Sequence, residues 1–445
     1  MELAETQNLA RRAAATLRRA GYRAYLVGGS VRDLLLGRDP HDFDLSTDAP
    51  PQRILELFPG SGHVGAHFGV VLVRSGNAEV EIATFRSDQE YRDGRRPGSV
   101  EFETDPRQDV LRRDFTINGM MLDPQTGEVL DLIGGRADLE NRVIRAIGDP
   151  ELRFREDHLR LLRAVRFAAR LGFTVEPVTL EAIRRNCESI RRISAERIRE
   201  ELVRILTEGG ARYGFELLDA TGLLEELLPE VAAMKGVAQP PEFHPEGDVW
   251  VHTLLLLENL RQPSSSLAWG ALLHDVGKPG TFRVAERIRF DGHVEAGVRL
   301  AGGILGRLRF SRDEQEQIEA LVANHMRFKD VDRMKESTLK RFLRLPKFEQ
   351  HLELHRLDCL ASHRRFDHYE FVKQKLEEFS AEQLKPKPVL TGRDLIREGY
   401  APGPQFSKML AAAEDAQLEG RVHDVEQAMA LVRGEFGPPS PAMPS

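Results

Sequence analysis

The chain has 445 residues, 41% of them hydrophobic and 30% charged, with a formal net charge of −7. That length asks for about two to four domains, and the composition is that of a folded soluble protein rather than a disordered or fibrous one. The N-terminal stretch MELAETQNLARRAAATLRRAG carries acids and has no uninterrupted apolar core, and no run of about 18 apolar residues occurs, so neither a signal peptide nor a membrane span is expected. The two cysteines, Cys187 and Cys359, are far apart, give no disulfide framework and suit a reducing, cytoplasmic setting.

Residues 4–20 read as an amphipathic helix leading into a strand at Tyr25–Val27. The next stretch, Leu26–Asp44 (LVGGSVRDLLLGRDPHDFD), turns through Gly28 and Gly29, continues in helical spacing from Val31 to Leu36, and ends on Asp42 and Asp44. In an extended segment residues i and i+2 face the same way, so the two carboxylates are placed to hold Mg²⁺, a hard cation that takes oxygen ligands together with substrate phosphates. The glycines let backbone N–H groups approach a phosphate. Either feature alone is ordinary loop chemistry. Joined within nineteen residues, they form a pattern for phosphoryl or nucleotidyl transfer.

A helix is expected over Pro51–Phe58, and strands over Val70–Val73 and Val80–Thr84. Glu81 in the second strand is either solvent-facing or a third metal-site carboxylate. Residues 85–109 (FRSDQEYRDGRRPGSVEFETDPRQD) have the composition of a long mobile loop, and loops of that length are commonly functional. The run LRRDFTINGMML follows, with Arg112, Arg113 and Asp114 ahead of its apolar part. Arginine pairs beside a nucleotide site are good triphosphate clamps, because guanidinium matches phosphate bidentately. Residues 129–139 supply a strand, a Gly-Gly turn and a helix start.

The segment 151–173 (ELRFREDHLRLLRAVRFAARLGF) places Leu159, Leu162, Val165 and Ala169 at helical spacing and predicts one amphipathic helix. Glu156, Asp157 and Arg160 then share a polar face. A surface ion-pair ladder gives that pattern; so does an acceptor and a donor held to satisfy the pairing edge of a nucleobase. From Glu151 to Glu200 there are 12 arginines against 8 acids, a local basic surface, although no lysine precedes Lys235 and arginine is this chain's default cation there. Ser194 is expected to N-cap a helix with Arg197 in its first turn; residues 211–233 continue helical. AQPPEFHPEGD (238–248) reads as a hinge.

The following block carries His252, then His274 and Asp275 within ALLHDVGKP (271–279), then Asp358, with His293 and His325 as further candidates. Imidazoles and carboxylates in this number suit a divalent metal. The C-terminal part, 386–434, reads as a Pro-rich lead-in (LTGRDLIREGYAPGPQ) and two helices, ending in a disordered tail.

Taken together, LVGGSVRD, HDFDLST, VEIATFR, RRDFTINGMM, DLIGG, FREDHLRLLRAVRFAARLGF and AERIREEL resemble, in order and over roughly residues 22–235, the class II tRNA nucleotidyltransferase and poly(A) polymerase family. Residues 241–370 resemble HD-type metal phosphohydrolase domains, and LTGRDL with its following G and PGP resembles the tail of bacterial tRNA nucleotidyltransferases. The resemblance implies an α+β fold: a polymerase-beta-like mixed-sheet head (1–147), then an all-α neck (148–237), HD domain (238–378), tail (379–436) and disordered end (437–445). It implies Mg²⁺ on Asp42 and Asp44 with Glu81 nearby. Gly28, Gly29, Ser30 and Arg32 would hold the triphosphate, and Arg113, Asp114 and Asn118 the sugar and phosphates. Asp157 and Arg160 would read the base, supported by Glu156 and Arg163, with Arg166 also among the nucleotide-site residues and Arg197 and Glu200 bracing the neck. The partners implied are the tRNA 3′ end, CTP and ATP, with no membrane. Complete CCA addition is the first expectation; A-only and poly(A) addition are the alternatives, and the full-length 85–111 segment argues against CC-only addition. In the reading from another class, the HD block, with its own divalent metal, is a phosphohydrolase and the main activity.

Overall fold

A computed structural model of the chain describes residues 2–40, 42–63, 69–91, 97–242 and 244–439. The middle of the 85–109 segment (92–96) and the end of the expected disordered tail (440–445) lie outside these residues. The chain forms two compact units, one of residues 1–233 with 260–265 and 304–310, the other of the remainder.

The first unit is built on a mixed seven-stranded sheet of order β3-β4-β5-β2-β1-β8-β9. Its strands are β1 (Ala24–Val27), β2 (Asp44–Thr47), β3 (Gly62–His63), β4 (Val70–Ser75), β5 (Ala78–Thr84), β8 (Met121–Leu122) and β9 (Val129–Leu130); β6 (Arg86–Tyr91) and β7 (Pro97–Phe102) pair only with each other. The helix Glu2–Arg19 buries Leu9, Ala10, Ala13, Ala14 and Leu17 against β1, β2 and β5, the i, i+4, i+8 stripe of an amphipathic helix. Within β5, buried Ala78, Val80 and Ile82 alternate with exposed Glu79 and Glu81, so one face packs and the other meets solvent.

The center of the sheet positions the site. The register of β1 with β2 sets Val27 opposite Asp44, and β1 with β8 sets Val27 opposite Met121. The Gly28–Gly29 turn therefore leaves β1 between the carboxylate end of β2 and the RRDFTIN segment that leads into β8.

Two expectations are corrected here. The described parts of residues 85–109 are largely ordered elements rather than a loop: β6 and β7 form an antiparallel ladder, Arg86↔Phe102 to Tyr91↔Pro97, followed by the helix Pro106–Leu111. The sequence hid the hairpin because its strands are polar and lack an apolar alternation; they are held by backbone pairing and by polar contacts such as Ser87 Oγ to Glu103 at 2.7 Å. The segment 151–173 is two helices, Pro150–Glu156 and Arg160–Leu171, broken at Asp157, whose backbone is extended. Asp157 Oδ1 accepts from the Leu159 N–H at 3.0 Å, the local side-chain bond by which Asp competes with helix.

The second unit is helical. Its central helix Ser265–Leu273 is buried on every side from Ser266 onward, which is why its sequence shows no amphipathic period. At the ends of 238–248, Ala238 bridges Asp248, Val249 N–H donates to Val237 O, and the Asp248 carboxylate caps the helix Val249–Glu258 while accepting from the Gly236 N–H. The C-terminal helices Gly392–Arg397, Gln405–Leu418 and Val425–Phe436 close over their own core of Leu395, Tyr400, Met409, Ala416 and Val432.

Candidate functional site

In the first unit a cleft of about 850 Å³ opens where β1, β2 and the RRDFTIN segment converge. Gly28 has φ 74°, a conformation that favors glycine, and a Cβ there would stand 3.6 Å from Arg113 Nη1; one on Gly29 would stand 3.4 Å from Arg32 Nη2. The turn is thus a backbone cradle between two guanidinium groups.

Exposed Asp42 and half-buried Asp44 line the cleft. The parallel register Leu45↔Ile82 brings Glu81 beside Asp44. Burial, reinforced by the charges of Asp42 and Glu81, pushes the Asp44 carboxyl up to about 7, with Arg113 only partly opposing. Three neighboring carboxylates whose mutual repulsion Arg113 offsets only in part are a donor set of hard oxygens that a divalent cation would satisfy.

The arginines opposite are fixed from below. Asp109, fully buried, accepts from Arg112 Nη2 at 2.6 Å and from Arg113 Nη2 at 2.9 Å. Its carboxyl is held below the usual range, because these two arginines outweigh the cost of burial. Arg32 donates to Asn118 Oδ1 at 2.8 Å and to Asp33 at 2.8 Å, and Asn118 donates to Asp114 at 3.2 Å. Asp114 is paired with Arg163 at 2.5 Å, which, against its burial, lowers its carboxyl to about 2. These networks leave eight arginines and six acids lining one cleft.

The helix break at Asp157 turns that carboxylate into the cleft rather than along a helix face. Its Oδ2 accepts from Arg197 Nη2 at 3.1 Å, while Arg197 Nη1 is buried without a partner among the described residues. Arg160 is locked: its Nη1 bonds Glu156 at 2.6 Å and the Arg153 carbonyl at 3.0 Å, and its Nη2 the Arg112 carbonyl at 2.9 Å. A donor–acceptor pair with so little rotamer freedom can act as a fixed hydrogen-bonding edge.

Of the sequence-predicted residues, Gly28, Gly29, Arg32, Asp42, Asp44, Arg113, Asp114, Asn118, Asp157, Arg160 and Arg163 line this cleft. Ser30, Glu81, Glu156 and Arg166 do not. The Ser30 hydroxyl is buried and donates to Val27 O at 2.9 Å, closing the turn. Arg166 is buried against Glu201 at 2.6 Å and lies 4.2 Å from the Phe167 ring centroid. Ser194 stands at the helix cap, but its side chain makes no capping bond, and Glu200 is exposed. Sequence reasoning missed Asp109, whose i, i+3 and i, i+4 spacing to Arg112 and Arg113 was a readable signal, and missed Arg170, Arg204 and Glu208, which only the packing of helices Arg160–Leu171 and Ala195–Thr207 brings to the cleft.

In the second unit four imidazoles and an aspartate converge. His252 lies on the helix Val249–Glu258, His274 and Asp275 follow the buried helix Ser265–Leu273, and His293 and His325 begin their own helical segments. His252, His274 and Asp275 form one group of candidate metal donors, and Asp275, His293 and His325 another. The Nδ1 atoms of His274, His293 and His325 each meet a carbonyl, of Ala271, Phe290 and Val322, at 2.9, 2.8 and 2.7 Å. Nδ1–H donation leaves each Nε2 as the free lone pair. Nε2 of His293 and of His325 and Oδ1 of Asp275 are buried with no hydrogen-bond partner among the described residues, a cost a protein accepts where a metal is to be held. Asp358 lies 3.1 Å from His252 Nε2. Burial lowers His325 to about 4, so it is a neutral donor, whereas Asp358 and Glu246 raise His252 to about 9 despite its burial. The expected His252, His274, Asp275 and Asp358 are thus brought together with His293 and His325. Three contributors were unforeseen: Lys278, 2.6 Å from Asp275 Oδ2, and Glu246 with His244 from the segment read as a hinge, Glu246 accepting from His252 Nδ1 at 2.7 Å. Gly277 in HDVGK has a steric reason: a Cβ would fall 2.1 Å from His293 O and 2.5 Å from Gly297 N.

The chain is similar to known proteins along its length. Residues 24–145 match the poly A polymerase head domain, 172–235 the probable RNA and SrmB-binding site of polymerase A, and 248–358 the HD domain. The chain is 44% identical to the CCA-adding enzyme of Lactobacillus helveticus over 248 residues, 55% of this chain and 62% of that protein. Against the CCA-adding enzyme of Streptococcus thermophilus it is 32% identical over 427 residues, 94% of each. The crystal structure of the Bacillus stearothermophilus CCA-adding enzyme in complex with CTP superposes with a TM-score of 0.74 at 26% identity, covering 96% of this chain and 97% of that one. No described helix is long and apolar enough to cross a membrane. The chain belongs to the CCA-adding enzyme family.

Proposed function

We propose that the protein adds CCA to the 3′ end of tRNA in the cytoplasm, taking CTP and ATP in turn and releasing pyrophosphate. The observation that carries this reading is the cleft lined by the Asp42–Asp44 pair together with Asp157 and Arg160. The reading divides the chain into a catalytic head (1–147), a neck (148–237), an HD domain (238–378) and a tail (379–436) that grips tRNA. Asp42 and Asp44, with Glu81 beside them, would hold Mg²⁺, which supplies a lowered pKa at the attacking 3′-hydroxyl and charge neutralization at the leaving pyrophosphate. The Gly28–Gly29 backbone with Arg32 and Arg113 orients the triphosphate, and Asn118 and Asp114, fixed by Arg163, set the sugar. Asp157 accepts from an exocyclic amine and Arg160 donates to a ring nitrogen or carbonyl, so cytosine and adenine are read without a nucleic-acid template. Uracil, which has no exocyclic amine, leaves Asp157 unpaired.

The test presents tRNA lacking its end, tRNA ending in C and tRNA ending in CC, with CTP and ATP separately and together. Incorporation of CMP into the first two and of a single AMP into the third is expected. ATP joining CC-ended tRNA while CTP joins nothing would leave A-only addition; long A tails would leave poly(A) addition.

A second activity is favored by the imidazole cluster. His252, His274, Asp275, His293, His325 and Asp358 would hold one or two divalent ions for hydrolysis of a phosphodiester or 2′,3′-cyclic phosphate. Nitrogen donors alongside carboxylates point to a transition metal or zinc rather than Mg²⁺. Metal analysis of the purified chain and of His274→Ala, with turnover of a 2′,3′-cyclic nucleotide, tests this: equal metal content in both proteins would remove the assignment.

A further inference from the structure

Immediately after Lys278 the second unit carries a small two-stranded hairpin, Arg283–Val284 paired with Ile288–Arg289. Its register sets Arg283 directly opposite Arg289, with Glu286 and Arg287 in the connecting loop; the three arginines are exposed and outnumber the one acid of the hairpin. Like charges placed directly opposite across a ladder destabilize it, and a two-stranded ribbon this short has little stability to spare. None of the three guanidinium groups has a hydrogen bond or an ion pair among the described residues, although most of this chain's other arginines are paired. Repulsion tolerated on an exposed ribbon is the signature of a surface made for an anion supplied from outside.

The hairpin is anchored on the HD cluster. Phe282 and Phe290, which flank its strands, have ring centroids 5.9 Å apart, and the Phe290 ring lies 6.5 Å from that of His293. The Phe290 carbonyl accepts the Nδ1 bond that orients His293, at 2.8 Å. Lys278 Nζ stands 5.3 Å from the Phe290 ring centroid and 2.6 Å from Asp275 Oδ2. Arg283 and Arg289 therefore leave the fold one residue from Phe282 and Phe290, the second of which touches the cluster.

We propose that this hairpin is a phosphate-reading arm of the HD centre, which suits that centre to the end of an RNA chain rather than to a free phosphate or a mononucleotide. A ligand with a single phosphate places its charge at the metal donors and leaves the arm nothing to hold; a phosphodiester chain presents further charges at regular spacing, which cross-strand arginines match. The proposal rests on the reading of the His/Asp cluster as a metal centre.

The test uses the full chain carrying Asp42→Asn, so that added Co²⁺ reports the HD centre, whose visible absorption shifts when phosphate reaches the metal. Two probes are titrated: inorganic phosphate, and an RNA hexanucleotide ending in a 3′-phosphate. The oligonucleotide is expected to reach half-saturation at about tenfold lower concentration than inorganic phosphate. Arg283→Gln with Arg289→Gln should erase that advantage and reduce the salt slope of oligonucleotide binding by about 1 to 2; Arg283→Lys with Arg289→Lys should retain most of it. A double Gln variant that keeps the advantage, or a parent that shows none, overturns the arm while leaving the metal centre standing. Absence of any cobalt spectrum overturns the metal centre and the arm with it.

Discussion

The two sites solve a similar problem, a cation beside a phosphate, with opposite materials. The head cleft is open, its candidate metal donors are carboxylates, and eight arginines surround it. The HD cluster is buried, its donors are mainly imidazoles, and each of His274, His293 and His325 is oriented by a backbone carbonyl. Carboxylates at an open cleft leave room for substrate oxygens to complete a hard cation's shell. Oriented, buried imidazoles form a preset cage for a softer ion. In both, the fold raises a group's hold on its proton: burial, with Asp42 and Glu81, pushes Asp44 up to about 7, and Asp358 with Glu246 raises His252 to about 9 against its burial.

The comparison breaks most sharply under single substitutions. Asp44→Ala should lower nucleotide incorporation by about 10³-fold or more while the metal content of the HD cluster stays unchanged. His274→Ala should do the reverse, lowering metal affinity of the cluster by about 10²-fold or more, with incorporation retained; loss of incorporation would show that the two sites are coupled through the fold.

A subtler separation concerns selection. Asp157→Ala should lower the kcat/KM preference for CTP over UTP by about 10- to 100-fold, and Arg197→Ala should do so more weakly, by freeing the Asp157 carboxylate it holds. Unchanged selectivity in steady-state competition would remove the base-reading assignment. Gly277→Ala should destabilize the second unit by about 1–3 kcal/mol, because its Cβ meets backbone atoms of His293 and Gly297 that cannot swing aside; denaturant unfolding measures this.

The smallest effects are in pH. Asp44 binds its proton up to about pH 7 in the folded head but only up to about pH 4 in an unfolded chain. The metal-free head therefore loses stability as pH rises through that window, and a bound divalent ion restores it. His252 behaves in the same direction in a higher window: its contribution is complete below about pH 6.5 and is lost as pH rises through about 9. The Tm increase on adding Mg²⁺ should be larger at pH 8 than at pH 6, and a flat response would separate Asp44 from the metal.

The Gly-Gly turn, the Asp42–Asp44 pair, the RRD run and the HD pair were legible in the sequence because each is local: its residue types and spacing already carry the chemistry. Glu81 was visible only as an acid in an apolar strand; the parallel register of β2 and β5 decided that it lies beside Asp44. The polar β6–β7 hairpin carried no periodic signal, so backbone pairing alone reveals it. At Asp157 the helical period misled, since a side-chain bond to the Leu159 N–H overrode it and turned the carboxylate into the cleft. The sequence by itself determined the donors and the phosphate-binding groups. Tertiary structure decided which of them meet, because Val27 opposite Asp44, and the imidazoles of His252, His293 and His325 brought from separate segments to Asp275, are long-range pairings that no local pattern encodes.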